Sequence, residues 1–270
     1  MSRRSPAKSE ASGPPATHLL LVSIGNTRVA IAPWADGRRG AARHVKLDPV
    51  GRAVAEAQAV WDTFPADGRR AAVIASVNPP GLDEFRAGCE GRGIGPVLVV
   101  GDDLDLPLPV DLPEPEKVGI DRLCAAAAAY EKMKCACVVA DFGTAVTIDL
   151  IADNGVFLGG TILPGMALAA KSLHEYTALL PLVEVGRPTH TLGKDTASAI
   201  RNGIFAMMAG ALREVTERYA TDIGKWPPLI VTGGDGEAVA SACDFVDHVV
   251  PDLGLDGLVI AYRRAFEQEP

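Results

Sequence analysis

The chain has 270 residues, of which 48% are hydrophobic and 22% are charged, and its formal net charge is −8. The negative charge argues against nucleic acid or an anionic membrane surface as the main partner, because both select basic surfaces. No apolar run approaches the roughly 20 residues that a membrane span needs. These values favour one large or two moderate globular domains.

The N-terminus and the cysteines indicate the cellular compartment. Residues 1–16 are rich in Ser, Pro, Ala and charge, lack the apolar core of a secretory signal, and are predicted to form a disordered tail. An odd number of cysteines without a CxxC pair indicates reduced, mostly buried thiols: Cys89, Cys124, Cys135, Cys137 and Cys243. We therefore expect a cytoplasmic protein.

The first predicted element after the tail is a hairpin, in the stretch LLLVSIGNTRVAIAPWADG (19–37). An aliphatic strand ends at Ser23, a turn follows at Gly25, and an alternating apolar strand comes next. Glycine lets such a turn approach a ligand closely, and its backbone N–H groups can surround an anionic oxygen. The pattern is typical of a phosphate-binding turn, although a plain β-hairpin would look the same.

The chain then alternates between strands and connecting segments. RAAVIASVNPP (70–80) predicts a buried strand that ends in a loop, and GPVLVVG (95–101) predicts another strand. The proline-rich stretch 104–122 is predicted to be a long loop leading to Gly119. Strong helix formers over 121–133 predict a helix.

The motif GIDR (119–122) opens that helix and is the strongest candidate for catalysis. Asp121 lies where a carboxylate can accept the proton of an alcohol during phosphoryl transfer. Arg122 can bind a substrate carboxylate through two parallel hydrogen bonds. A helix N-terminal charge beside a surface ion pair is the alternative interpretation.

A second hairpin, CACVVADFGTAVTIDLIADNG (135–155), repeats the design of the first. Asp141 takes the place of Ser23, and Gly143 takes the place of Gly25. Repeated units indicate a duplicated fold, and two similar turns suit two phosphate clamps better than two unrelated hairpins.

Three further segments complete the predicted order. GGTILPGMALAAKSLHEYTALLP (159–181) predicts either a turn followed by a core helix or a loop that lines a substrate cleft. Residues 194–220 predict a long amphipathic helix with small residues on one face, capped by Asp195 or Thr196. Residues 228–243 predict a strand, a glycine-rich turn and a helix. Alternating strands and helices place the chain in the α/β class.

The motifs together resemble the type III pantothenate kinase family, also described as Bvg accessory factor-like proteins. The similarity extends from about residue 18 to about residue 266 and rests on the order and spacing of all motifs. They are GNTR, ASVNP, GIDR, DFGTAVTID, LGGTILPG, DTASAIRNG, VTGGDG and PDLGLDGL. No Walker A pattern is present, so a P-loop kinase is disfavoured.

The resemblance implies an actin-like kinase fold with two ribonuclease H-like domains, expected at 17–120 and 121–270, and an ATP cleft between them. It implies transfer of the ATP γ-phosphate to the primary alcohol of pantothenate, the first step of coenzyme A synthesis. It also implies a homodimer, Mg²⁺ with ATP, and a monovalent cation, K⁺ or NH₄⁺.

The resemblance further assigns site residues. Asp121 is implied as the general base, Asp141 as the ligand of the monovalent cation, and Thr196 as a pantothenate contact from the partner's helix. Gly119, Ile120, Asp121 and Arg122 are implied to shape the pantothenate site. The implied ATP-binding residues are Ser23, Ile24, Gly25, Asn26, Thr27, Arg28, Val29, Ala30 and Thr144.

Ser23 departs from the family pattern, which has aspartate at the end of that strand. A hydroxyl attracts a hard cation less than a carboxylate does. Reduced use of Mg²⁺-ATP is one hypothesis, and compensation by Asp149 or Asp235 is another. Two alternative functions also stay open: a weakened nucleotide-binding accessory or regulatory relative, and an actin-like kinase for another small alcohol or sugar.

Overall fold

A computed structural model describes residues 15–266, so residues 1–14 of the expected tail lie outside the described residues. The chain folds into two compact units. The first comprises the chain up to Leu108, Glu116–Ala128 and the chain from Gly254 onward, and the second comprises Pro109–Pro115 and Ala129–Leu253. The units therefore do not divide at residue 120, where the sequence motifs place the boundary, because the C-terminal helix returns to the first unit.

The first unit is built on one mixed sheet in the strand order β3-β2-β1-β5-β6, with β4 also paired to β2. Its strands are β1 (His18–Ile24), β2 (Arg28–Ala35), β3 (Arg38–Arg39), β4 (Arg43–Lys46), β5 (Arg70–Ser76) and β6 (Val97–Val99). β1 runs antiparallel to β2 and parallel to β5. Both faces of β1 are buried, which is why its sequence is a continuous aliphatic run.

Helices cover the two faces of this sheet. α1 (Val50–Trp61) and α2 (Pro79–Glu90) bury the side of the sheet that carries Val22 and Val29. α3 (Ile120–Met133) and α7 (Leu253–Phe266) reach the opposite side, which carries Leu21. The stretch 104–122 is irregular apart from a 3₁₀ turn at Pro115–Lys117, as its prolines predict.

The second unit repeats the pattern with the strand order β11-β10-β7-β8-β9. Its strands are β7 (Cys137–Phe142), β8 (Ala145–Ile151), β9 (Phe157–Pro164), β10 (Leu229–Thr232) and β11 (His248–Val249). β7 runs antiparallel to β8 and parallel to β10. The hairpin and its parallel neighbour thus match β1, β2 and β5, and the repeat predicted from the sequence is a repeat of topology.

Three helices belong to the second unit: α4 (Met166–Glu175), α5 (Thr196–Ile223) and α6 (Gly236–Ala240). Asp195 caps α5, since its side chain accepts a hydrogen bond from the Ser198 N–H while the Ser198 hydroxyl reaches back to Asp195. α5 ends at Gly224, which adopts φ +72°. Of the two predicted caps, Asp195 is confirmed.

The turn predicted ahead of α4 does not include the Gly159–Gly160 pair, because both glycines lie inside β9. Gly160 faces Asp149 of β8, and a Cβ at Gly160 would overlap the Asp149 carboxylate and the neighbouring backbone. The glycine therefore serves close approach within a sheet, not a turn. α2 was also missed, because its first residues, Pro79 and Pro80, suggest a loop, although proline is well tolerated in the first turn of a helix.

All five cysteines are free thiols, and four of them are buried. Burial raises the pKa of the Cys89 thiol to about 11 and that of Cys137 to about 12, so both stay protonated near neutral pH. Among the described residues, no helix has the length and apolarity needed to span a bilayer.

Candidate functional site

The turn between β1 and β2 is tight and held by backbone hydrogen bonds. The Gly25 N–H donates to the Arg28 carbonyl at 2.9 Å, and the Leu47 N–H donates to the Thr27 carbonyl at 3.0 Å. Asn26, Thr27 and Arg28 are exposed. The turn therefore combines a fixed backbone with accessible polar groups, which is what an anion-binding turn requires.

Ser23 lies two residues before this turn, half-buried near the end of β1. Its neighbours in register are Ala30 on β2 and Ala75 on β5. Residues in register project from the same face of a sheet. Ser23 is thus flanked on both sides by methyl groups, which leave room for a longer side chain and supply no polar partner.

Asp121 lies in the first turn of α3, in the same unit as the Gly25 turn. Its Oδ1 accepts a hydrogen bond from the Arg122 N–H at 2.8 Å. Burial raises the pKa of the Asp121 carboxyl, while the Arg122 N–H and guanidinium partly oppose the shift. A half-buried carboxylate whose pKa is shifted toward neutrality is suited to accept a proton.

Gly119 makes room for this carboxylate. A Cβ at Gly119 would stand 2.6 Å from Asp121 Oδ1 and 3.7 Å from Val77 Cγ1. Only glycine therefore lets the Asp121 side chain fold back over its own helix start without displacing it.

The turn that follows β5 connects the Gly25 turn to Gly119. The Val77 N–H donates to the Ile24 carbonyl at 3.1 Å, and the Val77 side chain lies beside Gly119. The Ser76 hydroxyl and the Asn78 backbone hold this turn closed, and the Asn78 side chain caps α2. Val77 thus fixes the end of β1 relative to the start of α3.

α7 fixes α3 from another side. A Cβ at Gly257 would overlap the backbone of Cys124, and one at Gly254 would touch the Asp121 carbonyl oxygen at 3.9 Å. The backbones of α3 and α7 therefore approach closely, and Asp121 stands on a helix start with little freedom to shift.

The second hairpin forms a comparable turn in the second unit. The Gly143 N–H donates to the Ala145 carbonyl at 3.1 Å, and the Gly165 N–H donates to the Thr144 carbonyl at 3.0 Å. Gly143 and Thr144 are exposed. This turn also presents a hydroxyl-bearing residue on a fixed backbone.

Asp141 stands two residues before this turn, as Ser23 does in the first unit. It is in register with Thr147 on β8 and with Thr232 on β10, so hydroxyls occupy the places that alanines occupy around Ser23. Gly233, with φ +89°, packs against the Asp141 carboxylate and the Phe142 carbonyl. The Phe142 carbonyl also accepts a hydrogen bond from the Asp235 N–H at 3.1 Å.

The oxygen donors beside Gly233 fit a hard cation. The Asp141 carboxylate and the Phe142 carbonyl oxygen both lie against Gly233, so closely that a Cβ there would overlap them, and oxygen ligands are those that such ions prefer. Among residues 15–266, no three His, Cys, Asp or Glu side chains form a metal-binding group. The donor set suits a cation that keeps water or substrate oxygens among its ligands.

Thr196 is exposed at the first position of α5. The segment before α5 packs onto it, because the Asn202 side chain donates to the His190 and Thr191 carbonyls and the Arg201 Nε donates to the Glu184 carbonyl. Thr196 therefore presents its side chain on a well-supported helix start.

The structure brings the predicted residues together in groups. Residues 23–30 and 119–122 lie in the first unit, and Asp141, Thr144 and Thr196 lie in the second. Val77, Gly165 and Gly233 lie within quoted motifs, but no individual role for them follows from the motifs alone. Their importance comes from contacts between distant parts of the chain, which no local pattern signals.

Comparisons with known proteins agree with the motifs. Residues 19–218 match the family model for type III pantothenate kinase. The type III pantothenate kinase of Rhodospirillum rubrum is 34% identical over 255 residues, covering 91% of this chain and 98% of the relative. That of Syntrophobacter fumaroxidans is 32% identical over 253 residues, with 91% of this chain and 98% of the relative covered.

Solved structures show the same fold at lower sequence identity. A crystal structure described as a Baf family transcriptional activator from Campylobacter jejuni has a TM-score of 0.58 and 22% identity, covering 91% of this chain and 97% of that one. Component A of the Acidaminococcus fermentans (R)-2-hydroxyglutaryl-CoA dehydratase has a TM-score of 0.55 and 14% identity, covering 93% and 99%. The predicted α/β fold of the actin-like kinase class is confirmed.

Proposed function

The chain belongs to the type III pantothenate kinase family. We propose that Asp121 acts as the general base when the enzyme transfers the ATP γ-phosphate to the primary alcohol of pantothenate. Phosphorylation of pantothenate for coenzyme A biosynthesis is the function of this chain. The observation that carries the role of Asp121 is its half-buried carboxylate, with a raised pKa, seated over Gly119. The curated relatives are kinases by name, and the likeness to the Baf structure concerns the fold alone, so the accessory-protein alternative gains no support.

The proposed mechanism assigns one task to each group. Asp121 orients the substrate alcohol and accepts its proton as the bond to the phosphoryl group forms. Arg122 binds the pantothenate carboxylate, for which its planar guanidinium is suited. The backbone of the Gly25 turn and the Thr144 hydroxyl hold ATP phosphate oxygens.

Cations complete the proposed site. Asp141 is the proposed ligand of a monovalent cation, K⁺ or NH₄⁺, on the basis of the oxygen donors beside Gly233. The Ser23 hydroxyl, near the end of β1, is the group of the first unit that would contact Mg²⁺ brought with ATP. Bound cations neutralise phosphate charge and thereby lower the barrier to transfer.

Ser23 is proposed to weaken the use of Mg²⁺-ATP. No acid occupies the positions in register with it, which are alanines. Asp149, one candidate substitute, is 1% exposed within the second sheet, so burial argues against contact with a hydrated cation. Asp235 is the better candidate, because its backbone already bonds to the Phe142 carbonyl beside Asp141.

A homodimer formed through the second unit is proposed from its exposed apolar surface. The large hydrophobic side chains exposed within residues 15–266 all lie in this unit: Leu158, Ile162, Leu168, Tyr176, Leu179, Leu182, Leu192, Met207, Trp226 and Val249. α5 adds an exposed stripe of small residues spaced three or four apart, Ala199, Gly203, Ala206 and Gly210. A second copy can approach such a stripe closely.

Thr196 lies three residues before Ala199, on the same face of α5 as this stripe. A dimer formed there would carry Thr196 toward the partner, which supports its proposed contact with the partner's pantothenate.

Free thiols at all five cysteines support a reducing, cytoplasmic location, which cell fractionation would test.

Asp121→Asn is expected to lower kcat by roughly 10²- to 10⁴-fold while leaving ATP binding intact, because it removes only the proton acceptor. The native pKa of Asp121 is raised, so the stability that its protonated form provides is lost as pH rises through that pKa. The neutral Asn is therefore expected to raise Tm at pH 7.

A coupled kinase assay measures the change in kcat, and thermal unfolding measures the change in Tm. Asp83→Asn is the control, because it neutralises an exposed carboxylate of α2. As the pH is lowered, the kcat/KM of the wild type should begin to fall at a pH above about 3.9, the ordinary pKa of an aspartate. Retained turnover in Asp121→Asn would remove Asp121 from the role of base.

Ser23→Asp is expected to raise kcat/KM for Mg²⁺-ATP by roughly tenfold, because a carboxylate holds a hard cation more strongly than a hydroxyl does. Ala30 and Ala75 leave space for the larger side chain. Ser23→Asn is the matched neutral control and should give no gain. An unchanged or lower kcat/KM in Ser23→Asp would show that the serine is no defect.

Asp141→Asn is expected to abolish the stimulation of the rate by K⁺, because the amide lacks the charge that attracts the ion. The rate is measured against K⁺ concentration at constant ionic strength. Thr147→Val, which removes a neighbouring hydroxyl in register, is the control for local disturbance. A K⁺ response that survives in Asp141→Asn would assign the cation to another ligand.

Ala206→Glu is expected to convert the dimer to a monomer, because it places charge in the middle of the small-residue stripe. Sedimentation velocity or light scattering measures the mass. Ala87→Glu, on the exposed face of α2 in the first unit, is the control and should leave the mass unchanged. A wild-type monomer, or an unaffected dimer in Ala206→Glu, would contradict this interface.

A further inference from the structure

Two cations stand side by side next to the Gly25 turn. Arg28 opens β2 and Lys46 closes β4, and the two residues are directly in register in this antiparallel pair. Both side chains are exposed, and residues in register project from the same face of a sheet. Two like charges therefore share one small area immediately beside the turn.

No ion pair joins either residue to an acid in the described part of the chain. Asp48, two residues beyond Lys46, makes none with them. The next cation along β4 differs, because Arg43 lies on the opposite face and is paired with Glu56 of α1. Like charges opposite each other in a sheet repel, and a bound anion would relieve that repulsion.

The face that carries Arg28 and Lys46 also carries Ser23. Ser23 is in register with Ala30, and Ala30 alternates with Arg28 along β2. Partly buried Ala30 packs with the cluster to which α3 and α7 contribute. The pair thus stands on the side of the sheet where the proposed base also lies.

The end of β4 is fixed to the turn itself. The Leu47 N–H donates to the Thr27 carbonyl, and the Leu47 side chain lies against Gly81 in the first turn of α2. Lys46 therefore has a backbone position set by the same hydrogen bonds that shape the turn. Its ammonium group can reach an anion held there without a change of backbone.

We propose that Lys46 is an ATP-binding residue that acts with Arg28 as a clamp on the triphosphate. The clamp rests on the proposed function, since it presupposes that the Gly25 turn holds ATP phosphates. Lys46 adds a point charge, and Arg28 adds a planar donor that can bond two oxygens. In a chain of net charge −8, such a local pair is needed to attract a polyanion.

Lys46→Met tests the clamp. It should raise KM for ATP by roughly tenfold, the loss expected for one charge-assisted hydrogen bond, with KM for pantothenate unchanged. Lys46→Arg should restore ATP affinity because it restores the charge. Arg43→Met is the matched control, since it removes a cation from the opposite face of the same strand.

Thermal unfolding supplies a readout that a purely structural role would not produce. Without ATP, Lys46→Met should have an unchanged or higher Tm, because a repulsion is removed. The Tm increase on adding ATP or inorganic triphosphate should shrink, while the response to adenosine stays as in the wild type. Arg43→Met should lower Tm slightly and keep the full response to ATP.

The possible outcomes distinguish the Arg28–Lys46 clamp from the proposed binding of ATP by the Gly25 turn. Wild-type protein that shows no response to ATP or triphosphate would contradict the phosphate-binding role of the Gly25 turn. A normal ATP response and KM in Lys46→Met, alongside an inactive Asp121→Asn, would contradict the clamp alone.

Discussion

The hydrogen bond from the Val77 N–H to the Ile24 carbonyl is the constraint on which the proposed site in the first unit depends. It joins the ends of two parallel strands at the point where one enters the Gly25 turn and the other turns toward α2. Because the Val77 side chain also lies beside Gly119, the same residue sets the position of the Asp121 helix start. Parallel strands end at one edge of a sheet, and that edge holds the Gly25 turn and the helix start that carries the proposed base in fixed relative positions.

The two halves share topology but differ in the chemistry at the ends of their first strands. Asp141 stands between two threonines, whereas Ser23 stands between two alanines. A carboxylate needs polar neighbours or a cation, because burying it among methyl groups costs free energy. The serine therefore suits apolar surroundings in which an aspartate would need a bound cation, and the asymmetry involves the neighbouring strands as well as one residue.

Local patterns were sufficient for much of this molecule. The hairpins at Gly25 and Gly143, the helix from Ile120 and the capped helix α5 follow from periodicity and glycine placement. The strand at Gly159–Gly160 was missed for a physical reason, because a glycine such as Gly160 that makes room for Asp149 looks the same in sequence as a turn glycine. The Val77 contact, the return of α7 to the first unit and the Arg28–Lys46 register depend on which strands and helices meet, and residue types alone do not specify that.

Electrostatics imposes one further condition on the first unit. A base for an alcohol works best with a pKa near neutrality, while ATP requires cations, which lower the pKa of a nearby carboxyl. Within residues 15–266, the cation that lowers the pKa of Asp121 is its neighbour Arg122, and burial outweighs it. Arg28 projects from β2, which is two strands away from β5 in the sheet order, and Lys46 projects from β4, which is one strand further. The charges proposed to hold the phosphates thus lie on the same side of the sheet as the proposed base but are not among the groups that lower its pKa, so one small sheet can serve both.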